Sequence, residues 1–130
     1  METADLMRIT ENVPKVIDPT AHAVLDYLTA GSFLAMGFAL MNRHPRASTL
    51  AFINGASVLA ASLLTDYPGG VWRKLSFRTH GMLDVMQASM SATMPALMGF
   101  GSDPEAQFFH AQAALEAGVI AATDFNRVAA

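Results

Sequence analysis

Two histidine–aspartate pairs carry most of the chemistry that this sequence could support. His22 and Asp26 are four residues apart, and His80 and Asp84 repeat that spacing. In a helix, a spacing of four places both side chains of a pair on one face. Imidazole nitrogens and carboxylate oxygens are suitable ligands for a zinc-like ion, and such groups within a membrane also relay protons or gate a small solute. The sequence therefore predicts a small integral membrane protein of structural or accessory type, with an ion-, proton- or cofactor-binding module as the alternative if the fold brings the pairs together.

Two other hypotheses explain the same residues. An aspartate one turn after a histidine can hydrogen-bond it, so that each pair would satisfy itself in a poorly hydrated place and only tie helices together. A bis-histidine haem would require His22 and His80 to face each other across a plane. We predict no cofactor beyond this possible metal or haem.

Catalytic motifs are missing from the chain. It has no cysteine, which excludes disulfides, thiolate metal ligands and cysteine nucleophiles. No phosphate-binding glycine loop, nucleophile elbow or zincin helix motif is present. We therefore predict that the protein is not an enzyme.

The two pairs belong to a longer internal similarity. The interval from His22 to His80, which we call the repeat spacing, also separates Thr65-Asp66-Tyr67 from Thr123-Asp124-Phe125. A shared spacing at separate places predicts one duplicated unit. The predicted divisions are an N-terminal cytoplasmic arm, repeat 1, an interfacial linker, repeat 2 and a C-terminal tail, at residues 1–19, 20–67, 68–78, 79–125 and 126–130.

The duplication also places further acidic groups near the pairs. Asp66 and Asp124 end their predicted helices on the membrane side where both pairs begin. Basic residues at that side are their expected partners, namely Arg78, Lys74 or Lys15.

Three polar residues within the predicted helices are not matched by the same residue at the equivalent position of the other repeat. They are Glu116, His110 and Asn54. A charged glutamate at mid-membrane costs ~2.5 kcal/mol or more, so Glu116 is either protonated, bonded to Asn54 or Gln87, or turned toward a partner subunit. An intramembrane ionisable residue is by default a candidate functional group.

Methionines recur every four residues from Met82 to Met98. Thioethers select Cu(I), which would make this stripe a copper site. Adaptable filling of a core is the commoner use of methionine, and we favour it here.

Composition points to a bilayer rather than to water. The chain is 52% hydrophobic and 15% charged, with a mean hydropathy of +0.32, where about 25% charged is usual. A net charge of −3 gives no reason to expect nucleic acid. The first residues lack the basic and apolar regions of a signal peptide.

Four apolar runs of bilayer length follow one another. At ~1.5 Å per residue, about 20 residues cross a hydrocarbon core. Thr20 is the expected cap of the first helix, Pro95 is expected to kink or weaken the third, and Asp103 with Pro104 to start the fourth. These runs predict an all-α, four-helix transmembrane bundle built from two parallel two-helix repeats, with helices at Ala21–Met41, Ser48–Thr65, Thr79–Phe100 and Glu105–Asp124.

Charge sets the predicted orientation. Arg43 and Arg46 lie on one side, and six basic residues lie on the side of both termini and the middle loop. The positive-inside rule then places both termini in the cytoplasm, in a multi-pass inner-membrane protein. Small residues on the helices and the polar fourth helix predict a homo-oligomer or a membrane-protein partner. The six basic residues are Arg8, Lys15, Arg73, Lys74, Arg78 and Arg127.

The duplicated order His-x-x-x-Asp, apolar helix, then a helix ending Thr-Asp-aromatic resembles the SPW-repeat family of small bacterial integral membrane proteins. The resemblance covers residues 20 to 125, with Pro95 and Gly99-Phe100 fitting the later part of the motif. It implies two membrane helices per repeat and no established activity. The resemblance implies a divergent member, because Ser-Pro-Trp reads Met94-Pro95-Ala96 and Trp72 lies in the linker.

Overall fold

A computed structural model describes residues 13–127 as an all-helical chain. This part contains four helices and no strand, which confirms the all-α, four-helix part of the predicted fold class. The first twelve residues, with Met7, Arg8 and Ile9 of the predicted arm, and the last three of the tail lie outside the described residues. The helices are α1 (Pro19–Leu40), α2 (Pro45–Leu64), α3 (Phe77–Leu97) and α4 (Ala106–Ala122).

Helices α1 and α3 begin with side-chain caps in equivalent places. The Asp18 carboxylate accepts a hydrogen bond of 2.8 Å from the Ala21 amide, and Pro19 takes the first helical position. The Ser76 hydroxyl accepts from the Thr79 amide at 3.1 Å. The prediction of Thr20 as cap was wrong, because Thr20 already lies inside the helix and Asp18 satisfies the free amide.

Helix α2 is capped by a histidine at the opposite end of the molecule. His44 Nδ1 accepts from the Ala47 amide at 3.1 Å, so Nε2 carries the proton and donates to Asp103 Oδ2 at 2.8 Å. Asp103 therefore does not cap the fourth helix, as the sequence had suggested. Helix α4 starts after Glu105 without a side-chain capping bond.

Replacing His44 by alanine should lower the free energy of unfolding by about 1 kcal/mol, because the helix loses its cap. The bond to half-exposed Asp103 should add little, since solvent screens it. Chemical unfolding in mild detergent measures the loss. His110→Ala, at an exposed site on α4, is the control, and equal stability of the two variants would contradict the capping role.

Helix α3 ends in a tight turn built on glycine. Gly99 has a φ of +81°, and the amides of Gly99 and Phe100 donate to Ala96 and Pro95 at 3.1 and 2.8 Å. This pattern satisfies the last carbonyl groups of the helix. Pro95 lies buried in the final turn, and the helix stops at Leu97, three residues earlier than predicted.

The main apolar core lies toward this end of the bundle. Phe33 of α1, Leu50 of α2 and Phe109 of α4 are all buried there. Met94 and Met98 pack against this core, as favoured for the methionine stripe. The first two methionines of the stripe, Met82 and Met86, are instead exposed.

Short backbone bridges join the two halves of the chain at the other end. Ile17 pairs with Thr123 and Leu75 pairs with Thr65, both in parallel. The amides of Ile17 and Leu75 donate to Ala122 and Leu64, at 3.0 and 2.8 Å. The starts of α1 and α3 therefore lie beside the ends of α4 and α2, and α1 runs parallel to α3.

Two of the described helices, α1 and α2, could span a membrane by length and composition. Their best windows have a mean hydropathy of 1.5 and 1.6. Helix α3 carries Asp84 and Gln87 and does not meet this test, and neither does α4, which has only 17 residues.

Candidate metal centre

The two predicted pairs meet in one buried cluster between α1 and α3. His22 Nε2 lies 2.9 Å from Asp84 Oδ2, and His80 Nε2 lies 2.9 Å from Asp26 Oδ2. The remaining distances are 3.4 Å from His22 to Asp26 and 3.2 Å from His80 to Asp84. Imidazoles and carboxylates thus alternate around a closed ring, which we call the His/Asp ring.

The shorter contacts of the ring run between helices. The sequence suggested that each histidine would bind the aspartate one turn later on its own helix. Those contacts exist, but the closer partner of each Nε2 belongs to the other helix. Residues on one face of a helix are neighbours by geometry, whereas the cross-helix contacts depend on how α1 and α3 are rotated toward each other.

One threonine hydroxyl contacts the outer nitrogen, Nδ1, of each imidazole. Thr123 Oγ1 lies 2.9 Å from His22 Nδ1, and Thr65 Oγ1 lies 2.7 Å from His80 Nδ1. Each hydroxyl also donates its proton to the carbonyl four residues earlier in its own helix, at 2.6 Å. It can therefore only accept from the imidazole, so Nδ1 carries a proton in both histidines and Nε2 faces the carboxylates.

Tyr67 adds a further hydrogen bond to one side of the ring. Its hydroxyl donates to Asp26 Oδ2 at 2.8 Å, and the side chain is fully buried. Burial and the Asp26 carboxylate raise the pKa of Tyr67, so the phenol stays protonated and remains a donor. Its counterpart at the repeat spacing is Phe125, which has no hydroxyl.

Aromatic side chains cover the His/Asp ring at the end of the bundle where α1 and α3 begin. Phe77 and Phe125 contact His22 edge-on at 5.2 and 5.3 Å between ring centroids, and Tyr67 lies 5.2 Å from His80. His22 is 0% and His80 1% exposed. Water is thus excluded from the ring along the helix axis.

Two lateral crevices approach the ring instead. The α1–α4 crevice has a volume of about 210 Å³ and is lined by His22, Asp26 and Asp84 at its inner end. The α2–α3 crevice has the same volume and reaches Asp84 from the other side. Access to the ring is therefore through the helix interfaces.

Glu116 and Asn54, singled out from sequence, carry unsatisfied polar atoms within the described residues. Gln87 Nε2 donates weakly to Glu116 Oε1 at 3.5 Å, while the buried Oε2 has no hydrogen-bond partner there. Both side-chain atoms of fully buried Asn54 also lack a partner. Of the two residues predicted as partners of Glu116, Gln87 therefore contacts it and Asn54 does not.

The other three predicted polar residues lie away from the ring. His110 is exposed on α4, Asp66 is exposed after α2, and Asp124 is half-buried after α4. Among the described residues, neither aspartate forms an ion pair with Arg78 or Lys74, contrary to expectation. Asp124 Oδ1 instead accepts from the amide of Asn126.

The geometry discriminates among the possible bound groups. The centroids of the two imidazoles are only 5.3 Å apart and the rings meet edge to face, which leaves no space for a porphyrin plane. One ligand atom from each of the four ring residues lies within 4.8 Å of the other three. This arrangement suits a single small cation with nitrogen and oxygen ligands.

A second acidic cluster, His44 with Asp103 and Glu105, also places ligand atoms within 4.8 Å. Both nitrogens of His44 are already engaged, one in the cap of α2 and the other with Asp103. The cap of α2 and the hydrogen bond to Asp103 therefore account for this cluster without a metal ion.

Sequence reasoning missed the roles of three ring partners. Thr65, Thr123 and Tyr67 stood in the repeated Thr-Asp-aromatic motif, so the signal was present. The motif indicates the duplication and the helix ends, but nothing in it shows which side chain turns toward a distant histidine. Comparison of the chain with protein-family models, curated proteins and solved structures finds no match.

Proposed function

We propose that the His/Asp ring binds one divalent, zinc-like cation. The observation that carries this proposal is the pair of imidazoles whose Nδ1 protons are held by Thr123 and Thr65, leaving both Nε2 atoms directed at two carboxylates. Metal-binding histidines typically donate their other nitrogen to such an outer partner. Two nitrogens and two oxygens complete a four-coordinate set.

Binding of the cation requires the ring to lose protons. In the metal-free ring, His22 Nε2 and Asp84 Oδ2 form a hydrogen bond and therefore share a proton, whereas His80 Nε2 has no hydrogen-bond partner among the described residues. A metal ion bound to His22 and Asp84 would take the place of that proton and release it. The apparent affinity for the cation should therefore rise with pH.

We further propose that the chain is a small integral membrane protein of accessory type, without catalytic activity, and that all four helices cross the bilayer. Large apolar side chains exposed on every helix support lipid contact. The basic residues near Lys74 and Arg78 favour cytoplasmic termini in an inner membrane. Examples of the exposed side chains are Leu28, Phe38, Ile53, Met82, Val85 and Leu115.

A duplicated origin and membership of the SPW-repeat family complete this proposal. Its support is that caps, backbone bridges and His–Thr bonds each recur at the repeat spacing. Two copies of one hairpin placed side by side would create the ring at their shared boundary, with one His–Asp pair from each.

A second candidate function is a purely structural tie. Its supporting observation is that the ring groups contact one another closely without a metal: Asp26 accepts from Tyr67 and lies beside His80, and Asp84 bonds His22. Such a tie would set the rotation of α1 against α3 in a largely buried part of the bundle.

Elemental analysis of protein purified in mild detergent, followed by titration of the stripped protein with Zn²⁺, tests the leading proposal. The expected result is one bound ion per chain. If the purified protein contains no metal and the stripped protein takes up no Zn²⁺, Co²⁺ or Mn²⁺, the metal proposal fails and the structural tie remains.

Thr123→Val should weaken cation binding by about 10- to 100-fold, because the valine leaves His22 Nδ1–H without its acceptor and frees the imidazole to turn. Titration calorimetry measures the change. Thr93→Val is the control, since Thr93 makes the same bond to the carbonyl four residues earlier but is exposed on α3. Equal affinities of the two variants would contradict the positioning role.

A homo-oligomer or a membrane-protein partner is also proposed, because exposed small residues at Gly31 and Gly118 leave open space beside α1 and α4. Crosslinking in native membranes tests it, and recovery of monomer alone would count against it.

A further inference from the structure

The two crevices that reach the His/Asp ring contain residues related by the repeat spacing and share Val58, Asp84 and Gln87 in their walls, but they differ in one carboxylate outside the ring. Asp26, Leu28 and Thr29 line the α1–α4 crevice, and their counterparts Asp84, Met86 and Gln87 line the α2–α3 crevice. The full lining of the second crevice is Ser57, Val58, Ala61, Leu83, Asp84, Met86, Gln87 and Met90.

One difference distinguishes the two crevices most clearly. Glu116 lies in the wall of the α1–α4 crevice, and its counterpart in the wall of the α2–α3 crevice is Val58. Hydroxyl groups line both crevices, Thr29 and Ser32 in the first and Ser57 in the second. Among the described residues, only the α1–α4 crevice therefore offers a carboxylate outside the ring.

Glu116 is poorly satisfied in this position. One carboxylate oxygen has a single long contact to Gln87, and the other is buried with no partner among the described residues. A buried carboxylate oxygen without a partner costs free energy unless a proton or a cation satisfies it. Its place in the crevice wall makes a passing cation a chemically suitable partner.

We propose that the α1–α4 crevice is the entry path of the cation and that Glu116 binds the cation transiently on its way to the ring. This inference rests on the metal site proposed above. The aromatic side chains of Phe77, Phe125 and Tyr67 close the axial approach, so a lateral path is required. A carboxylate on that path attracts the ion and replaces part of its lost hydration.

The test follows Co²⁺ as a probe, because a four-coordinate Co²⁺ site absorbs visible light when the ion reaches the ring. Stopped-flow mixing gives the association rate, and exchange against excess chelator gives the dissociation rate. Glu116→Gln should lower both rates about tenfold. The equilibrium affinity should stay unchanged, because Glu116 contacts the ion only in transit. Glu116→Asp, which keeps the carboxylate, should retain most of the rate.

Matched steric variants separate the two crevices. Val119→Phe narrows the α1–α4 crevice, and Ala61→Phe introduces the same side chain at the equivalent position of the α2–α3 crevice. Only Val119→Phe should slow the uptake of Co²⁺. Circular dichroism confirms that each variant is folded before its rates are compared.

Three results would overturn the inference. One is wild-type uptake rates in Glu116→Gln, another is equal slowing by Ala61→Phe and Val119→Phe, and the third is a changed affinity with unchanged association rate. If the wild-type protein takes up no Co²⁺ in the equilibrium titration, the metal site itself fails and the entry path fails with it.

Discussion

Asp84→Asn should weaken the binding of a divalent cation by more than about 100-fold. Loss of an outer partner costs up to about that factor, and in the proposed site Asp84 would be a direct ligand, since its two oxygens lie 2.9 and 3.2 Å from the two imidazoles. Asparagine keeps the shape of the side chain but brings no negative charge to the ion. Titration of stripped protein with Zn²⁺ measures the change.

The control for this experiment is Asp66→Asn. Asp66 lies at the same end of the bundle but is exposed and outside the ring, so its neutralisation should leave the affinity unchanged. Proton release in weakly buffered solution gives an independent reading, since the wild-type ring should release protons on binding Zn²⁺. Equal affinity of Asp84→Asn and wild type would show that the ion does not bind at the ring.

His80→Ala should lower the free energy of unfolding by about 3–5 kcal/mol, even in metal-free protein. The substitution leaves Asp26 with one contact fewer in a place where only 7% of that residue is exposed. Breaking a buried pair by removing one partner has an effect of this size. Thermal or chemical unfolding in mild detergent, in the presence of a chelator, measures it.

His110→Ala is again the control, because that histidine is exposed on α4. A loss below about 1 kcal/mol in His80→Ala, the usual range for an exposed pair, would mean that water reaches the ring. The double variant with His22→Ala should lose more than the sum of the two single losses, because either histidine alone still contacts Asp26 and Asp84, whereas the double variant leaves both carboxylates without an imidazole.

Replacing all four ring residues by leucine distinguishes a binding site from a packing tie. An apolar set of similar volume can preserve or raise stability, because four ionisable groups no longer lose their hydration. The variant should fold and bind no cation. If it also supports the cellular role of the protein, the ring acts only in packing.

Much of the architecture follows from local features of the sequence. The apolar runs, together with Pro19 and the turn at Gly99, locate the helices to within a few residues. Their ends were less predictable, because capping depends on which polar group lies nearest in space. For this reason Asp18 rather than Thr20 caps α1. Asp103 accepts a hydrogen bond from His44, which precedes α2, and does not cap α4.

The candidate site was predictable in its members but not in its connections. Types and spacing alone named His22, Asp26, His80 and Asp84, because a repeated pair of ionisable residues in an apolar chain is conspicuous. The contribution of Thr65, Thr123 and Tyr67 was not predicted, since hydroxyl groups that bond distant imidazoles leave no periodic pattern.

The sequence by itself determined the helical content, the spacing of the two halves and the identity of the four ring residues, because these properties reside in local pattern and residue type. Only the tertiary structure decided that each histidine lies closest to the aspartate of the other helix. It also decided that Glu116 stands in one of two crevices. Such contacts are set by the rotation and depth of packed helices, and a change of a few ångströms there forms or removes a hydrogen bond.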